Sequence, residues 1–568
     1  MATSTSGSLV TRKYSNFKGI DTREGEISLN RSPDALNLYR NYKASNLLET
    51  RPDIELLTSF DNPVYGLFFY EVGLTNQLIV HSGTKLYKVV NGVKTELESG
   101  LKPAKSYFFV YNNILYIKDG INYLKYDGST LSDVTTNAFI PTTSISRTPN
   151  GGGTIYQDVN MLSNYRKNTF VADGTSTIYH LDSPTIDGIY EVKVNGESKT
   201  YGTDFTYDSS NGTVTFTTAP TIPLTDGQDN VEITYRKVVN GYADRILKCT
   251  ILCVFDNRVF FSGNQDYPNV VWHSSLDDPG YVSDLDYYNE GLDLAQVKSL
   301  VAGNNALWVF KEPSQANTTV FYHVPTIDSQ YGKIYPSSHS GISTGCTATG
   351  INFNDDICFF SDRGLEGISG DITTEQVIAH RSSFIDNKLL KETNYSRMIL
   401  EEWEGYLLVC IDNKIYLADS RQVTNVNGAY EYDWYYWELS KTITSTSVKD
   451  GVLYLGTTDG IYTLTNTTNE VSNYWTTPLD TFGYGNYQKI TNKRGCVIEC
   501  EGEEIDVSVK TNKDSMTLVK TFTDVTDYIT ARIKRKKFKD LQLKISSNKN
   551  MKLESIMLEA FIGGYIKR

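Results

Sequence analysis

Short apolar strands and tight turns alternate along most of the chain. The recurring unit is an apolar strand, a turn of Asn, Asp or Gly, and a second strand that often ends in an aromatic pair. This pattern is typical of a β-hairpin. It recurs as NQLIVHSGTKLYKV from Asn76, FFVYNNILYIKDG from Phe108, CVFDNRVFFSG from Cys253, LVAGNNALWVFKE from Leu300, FNDDICFFSDRGLEGIS from Phe353, LLVCIDNKIYLAD from Leu407 and VKDGVLYLGTTDGIYTL from Val448.

The spacing of these hairpins predicts a β-propeller. Successive units lie roughly 35 to 50 residues apart, which is the length of a four-stranded blade. Only the interval between Phe108 and Cys253 is much longer, and removing residues 149 to 238 restores the normal spacing. The sequence therefore predicts a mainly β fold, with a propeller of about six to eight blades that a second domain interrupts. A set of separate β-sandwich modules is the alternative, which the regular spacing disfavours.

The interruption has a strand pattern of its own. Residues 149 to 238 show period-two alternation broken by turn residues, which is typical of a small antiparallel β-sandwich. The glycines from Gly151 to Gly153, just after Pro149, predict a flexible linker at its start. The residues expected on its buried face are Val192, Val194, Phe205, Val214, Phe216, Val231, Ile233 and Tyr235.

The two ends of the chain differ from the blades. Ser32, Pro33 and Asp34 have the order of a helix cap, a first-position proline and a first-turn acid, which predicts a short helix through ALNLYRNYK. After Leu464 the hairpins stop and a new alternation begins, as in EIDVSVKTN and LQLKISSNKN. We therefore predict an N-terminal arm with a short helix over 1–55, blades over 56–148, the inserted β-sandwich over 149–238, blades over 239–470 and a C-terminal β-domain over 471–568.

Composition and charge fit this picture and disfavour a protein that wraps nucleic acid. The chain has 40 Tyr, 23 Phe and 6 Trp, and aromatic side chains favour pleated, half-buried surfaces. Its net charge of −13 opposes tight binding to a phosphate backbone, which depends on Lys and Arg. An acidic surface is explained either by solubility or by a role as the wall of a DNA channel that does not bind the DNA passing through it. We expect no secretory signal in MATSTSGSLVTRKY and no membrane insertion.

Motifs that carry chemistry are missing from the sequence. The 7 Cys have no CxxC pair and are expected to be reduced, and the 6 His have no metal-ligand spacing. Phosphate-binding loops and nucleophile elbows are absent too. Adjacent acids such as Asp355 and Asp356 are more typical of hairpin turns than of paired catalytic carboxylates. We therefore predict no catalytic residues, no metal site, no cofactor and no enzyme activity.

Two clusters allow a binding role. The aromatic segment YEYDWYYWELS from Tyr430 is either a sugar-stacking platform or, as its position before a blade indicates, part of the blade packing. The basic run near the C-terminus is either the solvated face of an edge strand or a contact patch for an acidic partner subunit. It lacks the aromatic interleaving of a nucleic-acid patch. Its candidate contact residues are Arg532, Lys534, Arg535, Lys536 and Lys537.

Three segments near the N-terminus stand out: YSNFKG from Tyr14 to Gly19, an SPDA-type step within Arg31 to Asn37, and ETRP from Glu49 to Pro52. Together they resemble the opening of a family of tailed-bacteriophage virion proteins, the stabilization or tail-nozzle-like proteins, although Asp53 stands where glycine is common. The interrupted propeller, the FVADGTSTIYHL insertion and the C-terminal segment from YWTTPLDTFG onward fit the same family pattern.

This resemblance implies a structural subunit of the virion, assembled in the host cytoplasm. It implies a homo-oligomeric ring, a hexamer, below the portal and adaptor, through which viral dsDNA passes without specific binding. An arm with too little core to fold alone normally orders against a neighbour. The subunit contacts expected on this ground are Phe17, Arg31, Asp34, Leu36, Leu38, Tyr39 and Arg51. The alternative of equal standing is that the segment packs on its own propeller.

Two other functions remain open at this point. The inserted domain and exposed aromatic residues would suit a receptor-binding or glycan-binding module at the tail end. A polysaccharide depolymerase is the less favoured interpretation, because glycoside hydrolysis needs only two suitably placed carboxylates and several propellers perform it.

Overall fold

The computed structural model of the chain describes residues 8–25, 27–43, 47–73, 75–329, 332–369, 377–426, 429–466, 470–534 and 537–565. Within these ranges the protein is mainly β and belongs to the β-propeller fold class, because seven four-stranded sheets succeed one another as blades along the chain. The chain divides into two compact units: Met1–Leu67 with Thr344–Arg568, and Phe68–Ser343.

Five strands precede the first blade: β1 (Leu9–Ser15), β2 (Ala35–Leu36), β3 (Leu38–Arg40), β4 (Leu48–Thr50) and β5 (Asp53–Ser59). The helix predicted after Ser32 is therefore wrong. The Ser32 hydroxyl does accept a hydrogen bond from the Asp34 N–H at 3.2 Å, so the local cap forms. However, Asn37 has a φ of 55° and separates β2 from β3. Strand β2 pairs with the distant β44, and β3 pairs with β4, which follows it closely in the chain. Strand pairing thus overrides a short helix of marginal stability.

The first two blades follow directly. One is the sheet of β6 (Val64–Val72), β7 (Thr75–Ser82), β8 (Lys85–Val90) and β9 (Val93–Ser99). The next is β10 (Tyr107–Tyr111), β11 (Ile114–Lys118), β12 (Tyr123–Tyr126) and β13 (Leu131–Asp133), followed by a 3-10 turn over Val134–Asn137. Their tight turns contain residues in the left-handed backbone conformation, such as Asn112 and Asn113 with φ of 48° and 59°. Two-residue hairpin turns that match the right-handed twist of the strands require this conformation.

The interruption of the blade series forms two sheets around one core. Its strands are β14 (Thr142–Arg147), β15 (Thr154–Ile155), β16 (Tyr165–Phe170), β17 (Ile178–His180), β18 (Gly188–Val194), β19 (Glu197–Ser198), β20 (Phe205–Asp208), β21 (Thr213–Phe216) and β22 (Val231–Arg236). A six-stranded sheet runs β15, β14, β16, β22, β18, β19, and a three-stranded sheet runs β17, β21, β20. All eight residues predicted for the buried face lie in this core, so that prediction is confirmed.

The start of the interruption differs from the prediction in two ways. Strand β14 precedes the expected boundary at Pro149, because it pairs in parallel with β16. The glycines predicted to form a flexible linker lie instead in a turn, in which the Gly151 N–H donates to the Thr148 carbonyl oxygen at 2.9 Å. A side chain on Gly153 would lie 2.6 Å from the Ile145 carbonyl oxygen, so this glycine permits a close backbone contact.

Two further blades complete the second unit. A helix, α1 (Tyr242–Leu247), leads into β23 (Ile251–Phe255), β24 (Arg258–Ser262), β25 (Val270–His273) and β26 (Tyr287–Asn289). The next blade consists of β27 (Val297–Gly303), β28 (Ala306–Lys311), β29 (Val320–His323) and β32 (Ser337–His339), with the small hairpin β30 (Thr326–Asp328) and β31 (Gly332–Ile334) between its last two strands.

Three blades belong to the first unit. One consists of β33 (Gly350–Phe353), β34 (Asp356–Ser361), β35 (Gly364–Ser369) and β36 (Val377–His380). The next consists of β37 (Ile399–Trp403), β38 (Tyr406–Ile411), β39 (Lys414–Val426) and β40 (Ala429–Glu438). The last consists of β41 (Ile443–Lys449), β42 (Val452–Thr457) and β43 (Gly460–Thr465) together with β5. Helix α2 (Asp386–Leu389) and a 3-10 turn over Tyr395–Arg397 follow the first of them. Strand β5, from the N-terminal end, thus supplies the fourth strand of the last blade.

The chain ends combine in one eleven-stranded sheet of the first unit. Its C-terminal strands are β44 (Asn473–Thr476), β45 (Tyr487–Thr511), β46 (Thr517–Val525), β47 (Tyr528–Ala531), β48 (Lys537–Phe538), β49 (Leu541–Ser547) and β50 (Met551–Tyr565). The N-terminal strands join it: β1 and β4 pair with β50, and β2 pairs with β44. The segment predicted as a separate arm therefore forms part of the C-terminal sheet.

One hydrophobic core extends through the blades and the end sheet of the first unit, from Tyr14 in β1 to Ala560 in β50. The second unit has smaller cores, one inside the interruption and others between neighbouring blades. Among the described residues, no helix has the length and apolar character needed to cross a membrane.

Candidate functional site

The outer edge of strand β40 is covered by the N-terminal segment. The Ile20 N–H donates to the Trp434 carbonyl oxygen at 2.7 Å, and the Asn37 N–H donates to the Tyr436 carbonyl oxygen at 2.9 Å. The Asn37 side chain then accepts the Glu438 N–H at 2.8 Å. An edge strand with open N–H and C=O groups invites pairing with other chains. Here the chain's own N-terminal segment fills that edge.

Gly19 lies at the closest approach between this segment and β40. Its φ of +79° is in the left-handed region, and a Cβ built there would lie 1.9 Å from the Trp434 carbonyl oxygen. Both the backbone conformation and the space therefore require glycine. This explains in physical terms the last residue of the YSNFKG segment.

Arg31 is the central polar residue of the same contact. Its guanidinium pairs with the Asp433 carboxylate and donates to the Lys18 carbonyl oxygen at 2.9 Å and to the Thr424 hydroxyl at 2.8 Å. It also lies 3.7 Å from the centroid of the Phe384 ring, a cation–π geometry. The Arg31 and Asp433 side chains are only 3% and 0% exposed. Burial raises the pKa of Asp433, and Arg31 partly offsets that rise.

Arg51, from the ETRP segment, ties the same region together from the other side. Its guanidinium donates to the Asn37 side-chain oxygen at 3.0 Å, to the Pro52 carbonyl oxygen at 2.7 Å and to the Glu438 carbonyl oxygen at 3.0 Å. Burial lowers the pKa of Arg51 to about 10, and the Asp53 carboxylate opposes that shift. At neutral pH the side chain remains charged, and its planar guanidinium donates these three hydrogen bonds in a fixed fork.

Aromatic contacts join the segment to β44 of the C-terminal sheet and to the blade strand β40. Phe17 packs on Trp475 with ring centroids 4.7 Å apart, and Tyr39 meets Trp437 edge-on at 5.2 Å. The Tyr14 hydroxyl donates to the Asp480 carboxylate at 2.9 Å. The three segments that carry the family resemblance thus meet in one region. We call it the arm junction: residues 14–19, 31–37 and 49–52 with the strands β40 and β44.

The structure places the seven predicted contact residues unequally. Those buried within their own chain are Phe17, Arg31, Leu38, Tyr39 and Arg51. Leu36 is half-buried, and the exposed Asp34 accepts a hydrogen bond from the Tyr474 hydroxyl at 2.9 Å. The geometry therefore agrees with the alternative that the segment packs on its own chain. A subunit contact at these positions stays a prediction and would have to use Asp34 and Leu36.

The aromatic segment before the last blade is part of the packing. Tyr432, Trp434, Tyr435, Tyr436 and Trp437 are all buried, which confirms that expectation over a sugar platform. Asp433, the partner of Arg31, is not among the residues predicted from the sequence. The sequence signal that could have identified it is its place between Tyr432 and Trp434, because a carboxylate among residues expected to be buried requires a charged or hydrogen-bonding partner.

A second buried ion pair links β40 to the neighbouring blade. The Arg381 guanidinium donates to both Asp356 carboxylate oxygens, at 2.8 and 3.2 Å. The Tyr432 hydroxyl donates to the same carboxylate at 2.7 Å, and the Trp434 indole N–H donates to the Arg381 carbonyl oxygen at 2.9 Å. Asp356, which the sequence placed in a hairpin, is thus a structural partner in the blade contact.

Other candidate chemistry is sparse in the part of the chain that the structure describes. Its cysteines are free thiols, and no group of three or more His, Cys, Asp and Glu side chains is arranged to hold a metal ion. In the basic run, Arg532, Lys534 and Lys537 are exposed. Arg535 and Lys536 lie outside the described residues.

Comparison with known proteins yields a general likeness of fold and no relative by sequence. No protein-family model matches the chain, and no curated protein matches it. Solved structures that it resembles include BamB from Moraxella catarrhalis, at TM-score 0.34 and 10% identity over 72% of this chain and 97% of that one. Another is an exo-β-1,3-galactanase from Phanerochaete chrysosporium, at TM-score 0.22 and 8% identity over 90% and 100% of the two chains. Likeness this weak indicates no function.

Proposed function

We propose that this chain is a structural subunit of a bacteriophage tail, in a nozzle-like ring below the portal and adaptor that forms or gates the DNA-ejection channel and stabilizes the packaged DNA. The observation that carries the proposal is the arm junction. The three N-terminal segments that resemble the family are separate in sequence, yet their residues meet in one buried contact. A shared fold element accounts for such a set of motifs better than chance does.

Surface properties support association into a ring. Leu276, Leu285, Leu292 and Leu294 are 51%, 67%, 106% and 74% exposed. Apolar side chains as exposed as these are available for contact with other protein chains. The net charge of −13 suits a channel wall along which duplex DNA slides without being held. In this proposal the partners are further copies of the chain and the portal and adaptor, and no cofactor takes part.

Electron microscopy of the virion tests the proposal. A gold-labelled antibody against the full chain should mark the tail axis below the portal, and averaged images should show a symmetric ring around the DNA path. Purified wild-type protein should form rings of the same diameter. Label at the fibre tips, or a protein that stays monomeric at all concentrations, would contradict the proposal.

A receptor-binding or glycan-binding module is the second candidate, and one observation favours it. On the six-stranded sheet of the interruption, Tyr165 and Tyr190 pack with ring centroids 5.0 Å apart, and Tyr190 is 64% exposed. Aromatic faces of this kind stack on sugar rings. Glycan-array binding that is lost in Tyr190→Ala and kept in Leu224→Ala, another exposed position of the same region, would support it. Loss of mass from host polysaccharide would point instead to a depolymerase.

A further inference from the structure

Strand β46 forms a free edge of the end sheet. Among the described residues it pairs only with β45, and most of its nine residues are exposed. Strands β47 and β48 continue along the same side of β45. An open edge of this length is a place where another chain can dock.

A basic cleft lies at the N-terminal end of β46. It has a volume of about 600 Å³ and is lined by Arg532, Lys534 and Asp514, by the hydroxyls of Thr511 and Thr517, and by apolar residues that include Leu518 and Ile533. Both Arg532 and Lys534 are exposed. A phosphate backbone gains nothing from the apolar part of such a lining, whereas an apolar strand that carries acidic side chains matches both the apolar and the basic residues.

An acidic cleft lies at the other end of the same strand. It has a volume of about 580 Å³, and its charged lining residues are Glu501, Glu503, Asp524 and Lys552. Glu501 pairs with Lys552 at 3.3 Å and Glu503 pairs with Lys549 at 2.9 Å, so three carboxylates face two ammonium groups at this end. The two clefts include opposite ends of β46, a strand that is roughly 26 Å long at about 3.3 Å per residue. The edge is therefore bipolar: one end carries excess positive charge and the other excess negative charge.

We infer that copies of this chain associate head to tail along this edge, with the acidic cleft of one copy against the basic cleft of the next. A second copy is the occupant that supplies both complementary charges at the required positions. Contacts between two different patches of the same protein generate rings when the rotation closes. The inference rests on the ring of the proposed function and assigns its subunit contact.

Two charge reversals and a matched control test the contact on the full chain. The variant Arg532→Glu/Lys534→Glu makes the basic cleft acidic, and Glu501→Lys/Glu503→Lys makes the acidic cleft basic. The control Lys391→Glu/Arg397→Glu reverses two other exposed cations of the same unit. Sedimentation velocity over a concentration series gives the apparent Kd of each protein, and circular dichroism checks that each one folds.

Each cleft variant should raise the apparent Kd by about tenfold or more, and the control should stay within about twofold of wild type. The two cleft variants mixed in equal amounts should associate again, because the acidic clefts of one then face the basic clefts of the other. Raising the salt concentration should weaken the wild-type assembly, because salt screens the exposed charges.

The outcomes separate this contact from the ring proposal. If the wild type assembles and the cleft variants assemble equally well, or if the mixture fails to restore association, the contact is elsewhere while the ring proposal stands. A wild type that stops at dimers would replace the head-to-tail contact by a two-fold one. A monomeric wild type would overturn both proposals.

Discussion

Replacement of Arg31 by methionine should weaken the arm junction more than any other single change there. The substitution keeps much of the side-chain volume but removes the partner of Asp433, which is 0% exposed. It also removes donors to the Lys18 carbonyl oxygen and the Thr424 hydroxyl. Loss of one member of a buried ion pair costs about 3–5 kcal/mol, because the remaining charge is uncompensated. We expect a loss of that size in the free energy of unfolding at pH 7.

The pH dependence identifies the cause of this loss. Burial already raises the pKa of Asp433, and Arg31 partly offsets the rise, so the variant should raise that pKa further. A carboxyl with a higher pKa in the folded state binds more protons there than in the unfolded chain, and stability then falls as pH increases. The difference between Arg31→Met and wild type should therefore grow only above the raised folded pKa of Asp433 in the wild type, which already exceeds the usual 3.8, and up to the still higher folded pKa in the variant.

Urea unfolding followed by tryptophan fluorescence at several pH values measures this effect. The matched control is Arg31→Met/Asp433→Asn, which removes both charges and should recover most of the stability, to within about 2 kcal/mol of wild type. A loss below about 1 kcal/mol in the single variant would show that solvent, not Arg31, compensates Asp433. An equal loss at every pH would refute the electrostatic explanation.

Three further predictions concern other parts of the chain. Gly19→Ala should lower the free energy of unfolding by about 2–4 kcal/mol. The control Gly92→Ala should lower it by about 1–2 kcal/mol, because the φ of Gly92, +78°, is similar but a Cβ there would meet nothing within 4 Å. Equal losses in the two variants would contradict the steric explanation. Burial lowers the pKa of His380, but its hydrogen bonds to the carboxylates of Asp386 and Glu366 raise it overall to about 10. The raised pKa stabilises the fold fully below pH 6.5, and this stabilisation is lost as pH rises through 10. Asp386→Asn should therefore weaken the dependence of the melting temperature on pH over that range. A pH dependence equal to that of the wild type would exclude the pairing. Finally, a thiol reagent at pH 8 should modify the half-buried Cys253 first but slowly, because burial raises the pKa of its thiol to about 11 and the thiolate is the reactive form. Rapid reaction of several thiols would contradict the packed blades.

The repeated hairpins of this protein can be predicted from sequence because their information is local. Alternating apolar residues fix which face of a strand is buried, and Asn, Asp and Gly fix the turns. The same local pattern predicts the core of the interruption, from Val192 to Tyr235, and the structure confirms it. It also places the aromatic segment around Trp434 in the blade packing, where that residue is buried.

The helix predicted for the N-terminal segment is wrong because the conformation there depends on distant residues. Ser32, Pro33 and Asp34 favour a helix start locally, but β2 and β3 obtain their hydrogen bonds from β44 and β4. The partner of Arg31 is Asp433, 402 positions away in the chain, and no sequence pattern joins the two. The requirement for glycine at position 19 likewise comes from the Trp434 carbonyl oxygen.

The sequence by itself determined the class of fold, the blade hairpins and the buried face of the interruption, because these follow from the periods of strand and turn. Tertiary structure alone decided that the N-terminal and C-terminal strands share one sheet and that the motif residues at Gly19, Arg31 and Arg51 meet on β40. It also decided that, among the described residues, β46 pairs only with β45. Those features depend on which strands find each other in space, and the free energy of that pairing is not encoded in any one segment.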